Sequence, residues 1–176
     1  LAPECTVLPK SVHGLLHRAP PPPRIPLADT PISMRRGGWK RLGFALGHFA
    51  DIVEKNERDG YLTVGLLATC PSMPGLVAGL QRSGARGTPL KIGMLWLDAH
   101  PDFNTPETTR SGSLGGMPVA VATGRALHRM RLDAKLDPPL ADSQVVMGGV
   151  RLTDPLEQEL LDASAIQQVS VDDLRR

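Results

Sequence analysis

Three potential metal ligands, Asp98, His100 and Asp102, stand two positions apart at the end of a short apolar segment. In an extended segment alternate side chains point to the same face, so this spacing predicts that all three converge on one side. Carboxylates that lie so close raise each other's pKa, and a divalent cation relieves the repulsion between them. Carboxylates together with a neutral imidazole suit Mn²⁺, and Zn²⁺, Ni²⁺ and Fe²⁺ also accept such ligands. The pattern therefore predicts a divalent-metal site.

The same residues admit a second interpretation, in which Asp98 caps a helix and His100 is an ordinary turn or core histidine. The strand-like segment before them and the Gly-rich loop after them, residues 111–116, favour the metal site. With further carboxylates nearby, such a site can hold two ions that share a bridging water. That water becomes a hydroxide nucleophile near neutral pH, so the predicted chemistry is hydrolysis.

Short apolar segments alternate with amphipathic segments on both sides of these ligands. Apolar segments predict strands, the first two of them buried, and apolar residues spaced three and four apart predict helices. The predicted strands are residues 62–67, 92–97, 144–148 and 167–171, and the predicted helices are residues 39–57, 75–82, 118–131 and a last one from Pro155. That last helix starts with a capping-box pattern, Asp154 at the N-cap and Glu157 three residues later.

This order of elements predicts an α/β domain with a mainly parallel sheet. In such sheets ligands bind at the carboxyl ends of the strands, which is where Asp98 falls. Before it, residues 1–30 contain an unbroken proline run at residues 20–23. Because proline fixes φ and lacks the N–H donor, we expect residues 1–30 to form an extended surface segment and residues 31–176 to form the α/β domain.

Composition excludes several classes of partner. The formal net charge is +2, which is too small to argue for binding to nucleic acid or to a membrane surface. Aromatic residues are 3% of the chain, which argues against base-stacking platforms. The chain has two cysteines, too few for a disulfide scaffold, so we expect a reduced, cytoplasmic setting.

The segment from Trp96 to Pro118, WLDAHPDFNTPETTRSGSLGGMP, resembles the second metal motif of the ureohydrolases, the arginase, agmatinase and formiminoglutamase group. That family reads roughly W-x-D-A-H-x-D-x-N-T-P, followed by S-G-N-x-H-G-x-P. The resemblance extends to residues 62–80 and 145–161 and covers most of residues 27–176. It implies an arginase-like three-layer α/β/α fold. It also implies a hydrolase in which a hydroxide bound to two manganese ions cleaves a C–N bond of a linear amidine or guanidino compound.

The resemblance also implies roles for single residues. Asp98, His100 and Asp102 match ligands of two Mn²⁺ ions, with Asp98 bridging the ions. Asp102 is in addition the candidate catalytic residue, taking the proton of the attacking water. Asn104 and Ser111 match positions that bind the α-amino and carboxylate end of an amino-acid substrate. The implied substrate is thus a small guanidino or formimino compound.

Two positions depart from the family pattern within the matched region. Cys70 stands where many members have the first metal-binding histidine. It is either a thiolate metal ligand, which favours softer ions, or a small buried hydrophobic residue. Gly115 stands where the family has a histidine that moves protons or contacts substrate. A glycine has no titratable group, so that proton-transfer role is lost, which slows the reaction without abolishing it.

The family's last metal motif, an Asp-x-Asp on a later strand, does not appear before Arg176. Asp172 and Asp173 do not replace it, because neighbours on a strand face opposite ways. We therefore expect the sequence to be incomplete at the C-terminus. The departures leave an alternative open, a degenerate non-catalytic subunit or binding partner of an active homologue. By family analogy we expect a trimeric or hexameric homo-oligomer, or a hetero-oligomer.

Overall fold

The structure is a computed structural model that describes residues 4–9, 38–85 and 88–175, with the backbone alone for residues 4–9. The proline run at residues 20–23 and most of the extended segment predicted over residues 1–30 lie outside the described residues. Among the described helices, none is long and apolar enough to cross a membrane.

Strands and helices alternate through most of the described chain. The strands are β1 (Glu4–Pro9), β2 (Tyr61–Leu66), β3 (Met94–Leu97), β4 (Val145–Gly148) and β5 (Gln167–Val169). The α-helices are α1 (Gly38–Arg58), α2 (Met73–Arg82), α3 (Pro118–Ala122), α4 (His128–Asp133), α5 (Pro155–Asp162) and α6 (Val171–Leu174). Short 3₁₀ turns span Cys70–Ser72, Leu114–Gly116 and Asp142–Gln144.

Strands β3, β4 and β5 form a parallel sheet with β4 in the centre. Gly148 of β4 lies opposite Leu97 on one side and Val169 on the other. Parallel strands need crossover connections, and the chain between β3 and β4 and between β4 and β5 supplies helices. The predicted α/β class with a parallel sheet is therefore confirmed.

The two strands predicted to be buried are covered on one face among the described residues. In β3, Met94 and Trp96 pack against the core, whereas Leu95 and Leu97 are 62% and 64% exposed. Strand β2 pairs antiparallel with β1, outside the parallel sheet, and Leu66 is 64% exposed. An apolar run alone predicts burial of both faces, but burial also requires an element packed on each face.

Helix α1 forms where the sequence predicts it and packs against α2. Its apolar side chains Leu46, Phe49 and Val53 are almost fully buried, because they recur at helical spacing and face one neighbour. Gly60, in the left-handed conformation at φ +88°, lies just after its end. The Cys70–Ser72 turn lies directly before α2 and contacts the Leu114–Gly116 turn and helix α3.

Two predicted elements differ from the structure. The single helix predicted over residues 118–131 is two helices, α3 and α4, because Gly124 turns left-handed at φ +82° and Leu127 does so at φ +48°. The strand predicted over residues 167–171 ends at Val169, and Ser170 instead caps α6 by accepting a hydrogen bond from the N–H of Asp173. Asp172 and Asp173 thus lie on a helix, so the strand-based reason for setting them aside was wrong.

Candidate metal centre

The loop that follows β3 carries three of the predicted ligands, two of them carboxylates, and is fixed at both ends. The N–H of Asp98 donates to the Gly148 carbonyl at 3.2 Å, which continues the contact between β3 and β4. The carbonyl of Asp102 accepts a hydrogen bond from the N–H of Val119, in the first turn of α3, at 3.0 Å. Asp102 itself is left-handed, at φ +49°, a conformation that Asp tolerates better than most residues. These contacts hold both carboxylates at the edge of the sheet.

Cys70 meets these two carboxylates from a different part of the chain. Its sulfur, one oxygen of Asp98 and one oxygen of Asp102 lie within 4.8 Å of one another. Cys70 begins the 3₁₀ turn that follows β2, so the group joins the loops after two strands. One soft and two hard anionic donors at this separation are able to surround a single divalent ion.

The carboxylate of Asp102 is buried without the partners that burial demands. Asp102 is 6% exposed, and its Oδ2 has no hydrogen-bond partner among the described residues. Burial raises its pKa from 3.8 to about 6, the charge of Asp98 adds to the rise, and the Cys70 thiol opposes it. An unpaired buried carboxylate is costly, and a bound cation satisfies it. The residues present therefore fit a divalent metal ion.

His100 lies at the same cleft but outside this close group. Its side chain is 58% exposed, and its Nδ1 is 3.5 Å from Oδ1 of Asp98. The backbone N–H of His100 also donates to that oxygen, at 3.0 Å. Strand β3 ends at Leu97, so a turn and not the alternation of an extended strand brings Asp98 and Asp102 together. In this turn the imidazole is on the solvent side of the carboxylates.

A cleft of about 560 Å³ opens in front of the metal-binding group. It is lined by Cys70, Asp98, His100, Asp102, Asn104, Ser111, Gly115, Gly116, Leu152, Thr153, Asp154 and Glu157. All the residues to which the sequence gives a site role therefore lie around one space. Four carboxylates among them make the cleft a site for cations.

The two predicted substrate-binding residues are held differently. Asn104 is 6% exposed, its Nδ2 donates to Oδ2 of Asp154 at 3.2 Å, and its Oδ1 accepts from the Thr108 hydroxyl at 2.9 Å. Ser111 is exposed on the Gly-rich loop, and its Oγ accepts the N–H of Ser113 at 3.1 Å. Asn104 is thus fixed in the wall of the cleft, whereas Ser111 offers its hydroxyl from the rim.

Sequence reasoning assigned Asp154 and Glu157 to the start of α5 and missed their place in the cleft. The capping box exists, and Oε2 of Glu157 accepts the N–H of Asp154 at 3.2 Å. Glu157, 4% exposed, also accepts the N–H of Phe103 through Oε1 at 2.8 Å. Its carboxylate therefore ties helix α5 to the loop between Asp102 and Asn104. The signal available in the sequence was an acidic pair directly after a strand and a glycine-containing loop.

The raised pKa of the buried Asp102 predicts how the stability of the metal-free protein depends on pH. The folded pKa is higher than the unfolded one, so stability falls as pH rises from about 4 to about 6 and stays lower above. We expect Asp102→Asn to raise the free energy of unfolding by about 2 kcal/mol at about pH 8 and to change it little at about pH 4. Urea unfolding in the presence of a chelator measures both values. A destabilised variant at the higher pH would contradict the prediction.

Comparison with known proteins places these features in context. The family model described as the arginase family matches residues 72–176. An arginase of Brucella melitensis is 33% identical over 147 residues, 80% of this chain and 46% of that protein. The human mitochondrial arginase-2 is 31% identical over 140 residues, 78% of this chain and 38% of that protein. The chain thus spans less than half the length of these relatives.

Solved structures show the same fold. The arginase from Bacillus caldovelox superposes with a TM-score of 0.65 at 23% identity, over 92% of this chain and 48% of that chain. The Entamoeba histolytica arginase, solved in complex with L-ornithine, gives a TM-score of 0.63 at 25% identity over 79% of this chain and 46% of that chain. The predicted arginase-like α/β fold is therefore confirmed.

Proposed function

Because this chain belongs to the arginase family, as its sequence motifs predict, we propose that the protein is a metal-dependent hydrolase that cleaves a C–N bond of a linear guanidino or amidine compound. One observation supports this proposal above the others. Asp102 presents a buried, unpaired carboxylate oxygen beside Asp98 and the Cys70 sulfur, at the inner end of an acidic cleft. Packing alone gives no reason for such an arrangement, because it costs stability.

The metal would be held by Asp98, Asp102, His100 and Cys70. Following the family resemblance, we propose two Mn²⁺ ions for the whole protein. A bound divalent ion supplies Lewis-acid activation of water at near-neutral pH. Asp98 already accepts the N–H of His100, so its carboxylate is oriented before any ion arrives.

The chain's own residues would bind the substrate and move the proton. The carboxylate of Asp102 would accept the proton of the attacking water, the role that the family resemblance implies. The amide of Asn104 and the hydroxyl of Ser111 would bind and orient the end of the substrate that lies farthest from the reacting carbon. Asp154 and Glu157 would attract a cationic substrate group by charge.

A direct assay tests this function. The protein is purified with Mn²⁺, and arginine, agmatine, guanidinobutyrate and formiminoglutamate are screened for release of urea, ammonia or formamide. We expect turnover of one of them that a chelator abolishes and added metal restores. Bound metal without turnover of any guanidino or formimino compound would favour the non-catalytic alternative.

Gly115 is the observation that favours that alternative, a non-catalytic subunit or partner of an active homologue. No titratable side chain extends from this position into the cleft. Among the described residues, a Cβ built there meets one neighbour within 4 Å, the hydroxyl oxygen of Ser113 at 3.3 Å, so a side chain fits once that hydroxyl shifts slightly. We propose a cytoplasmic location and an oligomer, and light scattering of the purified protein measures whether it is homo- or hetero-oligomeric.

We expect Gly115→His to raise kcat about 10²-fold, because a positioned imidazole adds a proton relay to the cleft. Steady-state kinetics on the substrate found in the screen measures the change. Arg110→His, at an exposed position directly before the same loop that does not line the cleft, is the control and should not raise kcat. An unchanged kcat in the folded Gly115→His protein would contradict the proposed proton-transfer deficit.

A further inference from the structure

Cys70 is the member of the metal-binding group that its position in the fold explains least. It is exposed at the start of the Cys70–Ser72 turn, which excludes a role as a small buried hydrophobic residue. Its sulfur faces two carboxylate oxygens within 4.8 Å. The turn thus places one soft donor and two carboxylate oxygens close enough to share one cation.

The position of the sulfur is set by rigid backbone. Pro71, next in the chain, is buried and has its φ fixed by its ring, and the N–H of Ser72 closes the turn on the Thr69 carbonyl at 3.0 Å. Helix α2 begins directly afterwards, at Met73, and is packed into the core. The cleft therefore receives the sulfur from a fixed turn and not from a free loop end.

The second, independent observation comes from Asp102. This residue is 6% exposed, its Oδ2 is without a hydrogen-bond partner among the described residues, and it lines the same cleft. A bound cation would satisfy this oxygen, and Cys70 is one of the two other donors close enough to share that ion. The unpaired oxygen and the sulfur thus point to the same ion.

We propose that Cys70 binds the metal as a thiolate and that this sulfur shifts the site's preference from Mn²⁺ toward Zn²⁺ or Co²⁺. The inference rests on the proposed function, since it concerns the same metal centre. On binding, the S–H bond breaks, its proton passes to solvent, and a sulfur lone pair forms the bond to the ion. Thiolate is a soft ligand, and it favours Zn²⁺ and Co²⁺ over the hard Mn²⁺.

A spectroscopic titration tests whether sulfur is a ligand. Co²⁺ is added to the metal-free protein, and absorbance is followed in the near-ultraviolet, where sulfur-to-cobalt charge transfer is intense. We expect the band in wild type and in Cys5→Ser, which keeps Cys70 as the single thiol of the chain, and no band in Cys70→Ser. Co²⁺ bound to wild type without the band, or an equal band in Cys70→Ser, would overturn the proposal.

A competition experiment tests the preference itself. Every site tends to bind Zn²⁺ more tightly than Mn²⁺, so the quantity compared is the ratio of the two affinities between variants. Cys70→Asp keeps the negative charge and replaces sulfur by oxygen. We expect the Zn²⁺/Mn²⁺ affinity ratio to fall about tenfold or more in Cys70→Asp relative to wild type. An unchanged ratio would overturn the inference.

The outcomes separate this inference from the proposed function. If the wild type hydrolyses a substrate but shows no charge-transfer band, and Cys70→Asp leaves the Zn²⁺/Mn²⁺ affinity ratio unchanged, the proposed function stands and the thiolate ligand is contradicted. The band and the shifted ratio without turnover of any screened substrate keep the thiolate and remove the function. No binding of Co²⁺, Zn²⁺ or Mn²⁺ by the wild type removes both.

Discussion

Asp98→Asn is expected to weaken metal binding and to lower the proposed hydrolytic activity on the order of 10³-fold. Loss of an outer-shell partner already costs about 10–100-fold in metal affinity or activity, and Asp98 is a direct ligand in our assignment. Asn keeps the Oδ1 that accepts the His100 N–H, so the turn is preserved while one anionic donor is removed. Calorimetric titration with Mn²⁺ and Zn²⁺, together with kcat/KM, measures both effects.

Asp172→Asn is the matched control for this variant. It removes the same charge from an exposed residue of α6 that does not line the cleft. We expect metal affinity and kcat/KM to stay within about twofold of wild type, since exposed charges outside the site interact weakly through solvent. Equal metal affinity in Asp98→Asn and wild type would remove Asp98 from the ligand set.

Gly79→Ala is expected to lower the free energy of unfolding by about 3 kcal/mol, a large fraction of the stability of a typical domain. Gly79 of α2 lies against α1, where an added Cβ would come within 2.6 Å of the Ala50 carbonyl oxygen and closer still to the Val53 Cβ. A backbone oxygen and a side chain packed at 0% exposure leave no room for it, so the helices must separate. Chemical denaturation followed by circular dichroism measures the loss.

Gly38→Ala makes the same chemical change where no atom of the described residues lies within 4 Å of the added Cβ. We expect it to leave stability within about 0.5 kcal/mol or to raise it slightly, because alanine favours the helix. Gly79→Ala should also weaken metal binding, since α2 follows directly after Cys70–Ser72 and moves with it. Equal stability of the two variants would contradict the assigned close contact between α1 and α2.

Much of the fold could be predicted because it depends on the spacing of apolar and capping residues within short segments. The apolar spacing of α1, the capping box of α5 and the apolar strands are properties of short segments, and each forms where it is predicted. The predictions that failed depended on a backbone conformation or on whether another element covers a face of the strand. Gly124 and Leu127 split one predicted helix, and Leu95 and Leu97 are exposed although their strand is apolar throughout.

The candidate site was also predictable only in part. Its ligand types follow from the sequence alone, because two carboxylates and an imidazole in a short motif suggest a metal whatever surrounds them. The place of each ligand does not follow from spacing. His100 lies on the solvent side of the turn, while the sulfur of Cys70 joins Asp98 and Asp102.

The sequence by itself determined the family, the α/β class and the kinds of atoms available to bind a metal, since these depend on residue types and short spacings. Tertiary structure alone decided which of those atoms meet. Glu157 reaches the N–H of Phe103 across 54 positions of the chain, and Cys70 reaches the loop after β3 from a turn that packs against the Leu114–Gly116 turn and helix α3. The physical reason is that such contacts depend on how helices and strands pack, and packing depends on shape complementarity between distant residues.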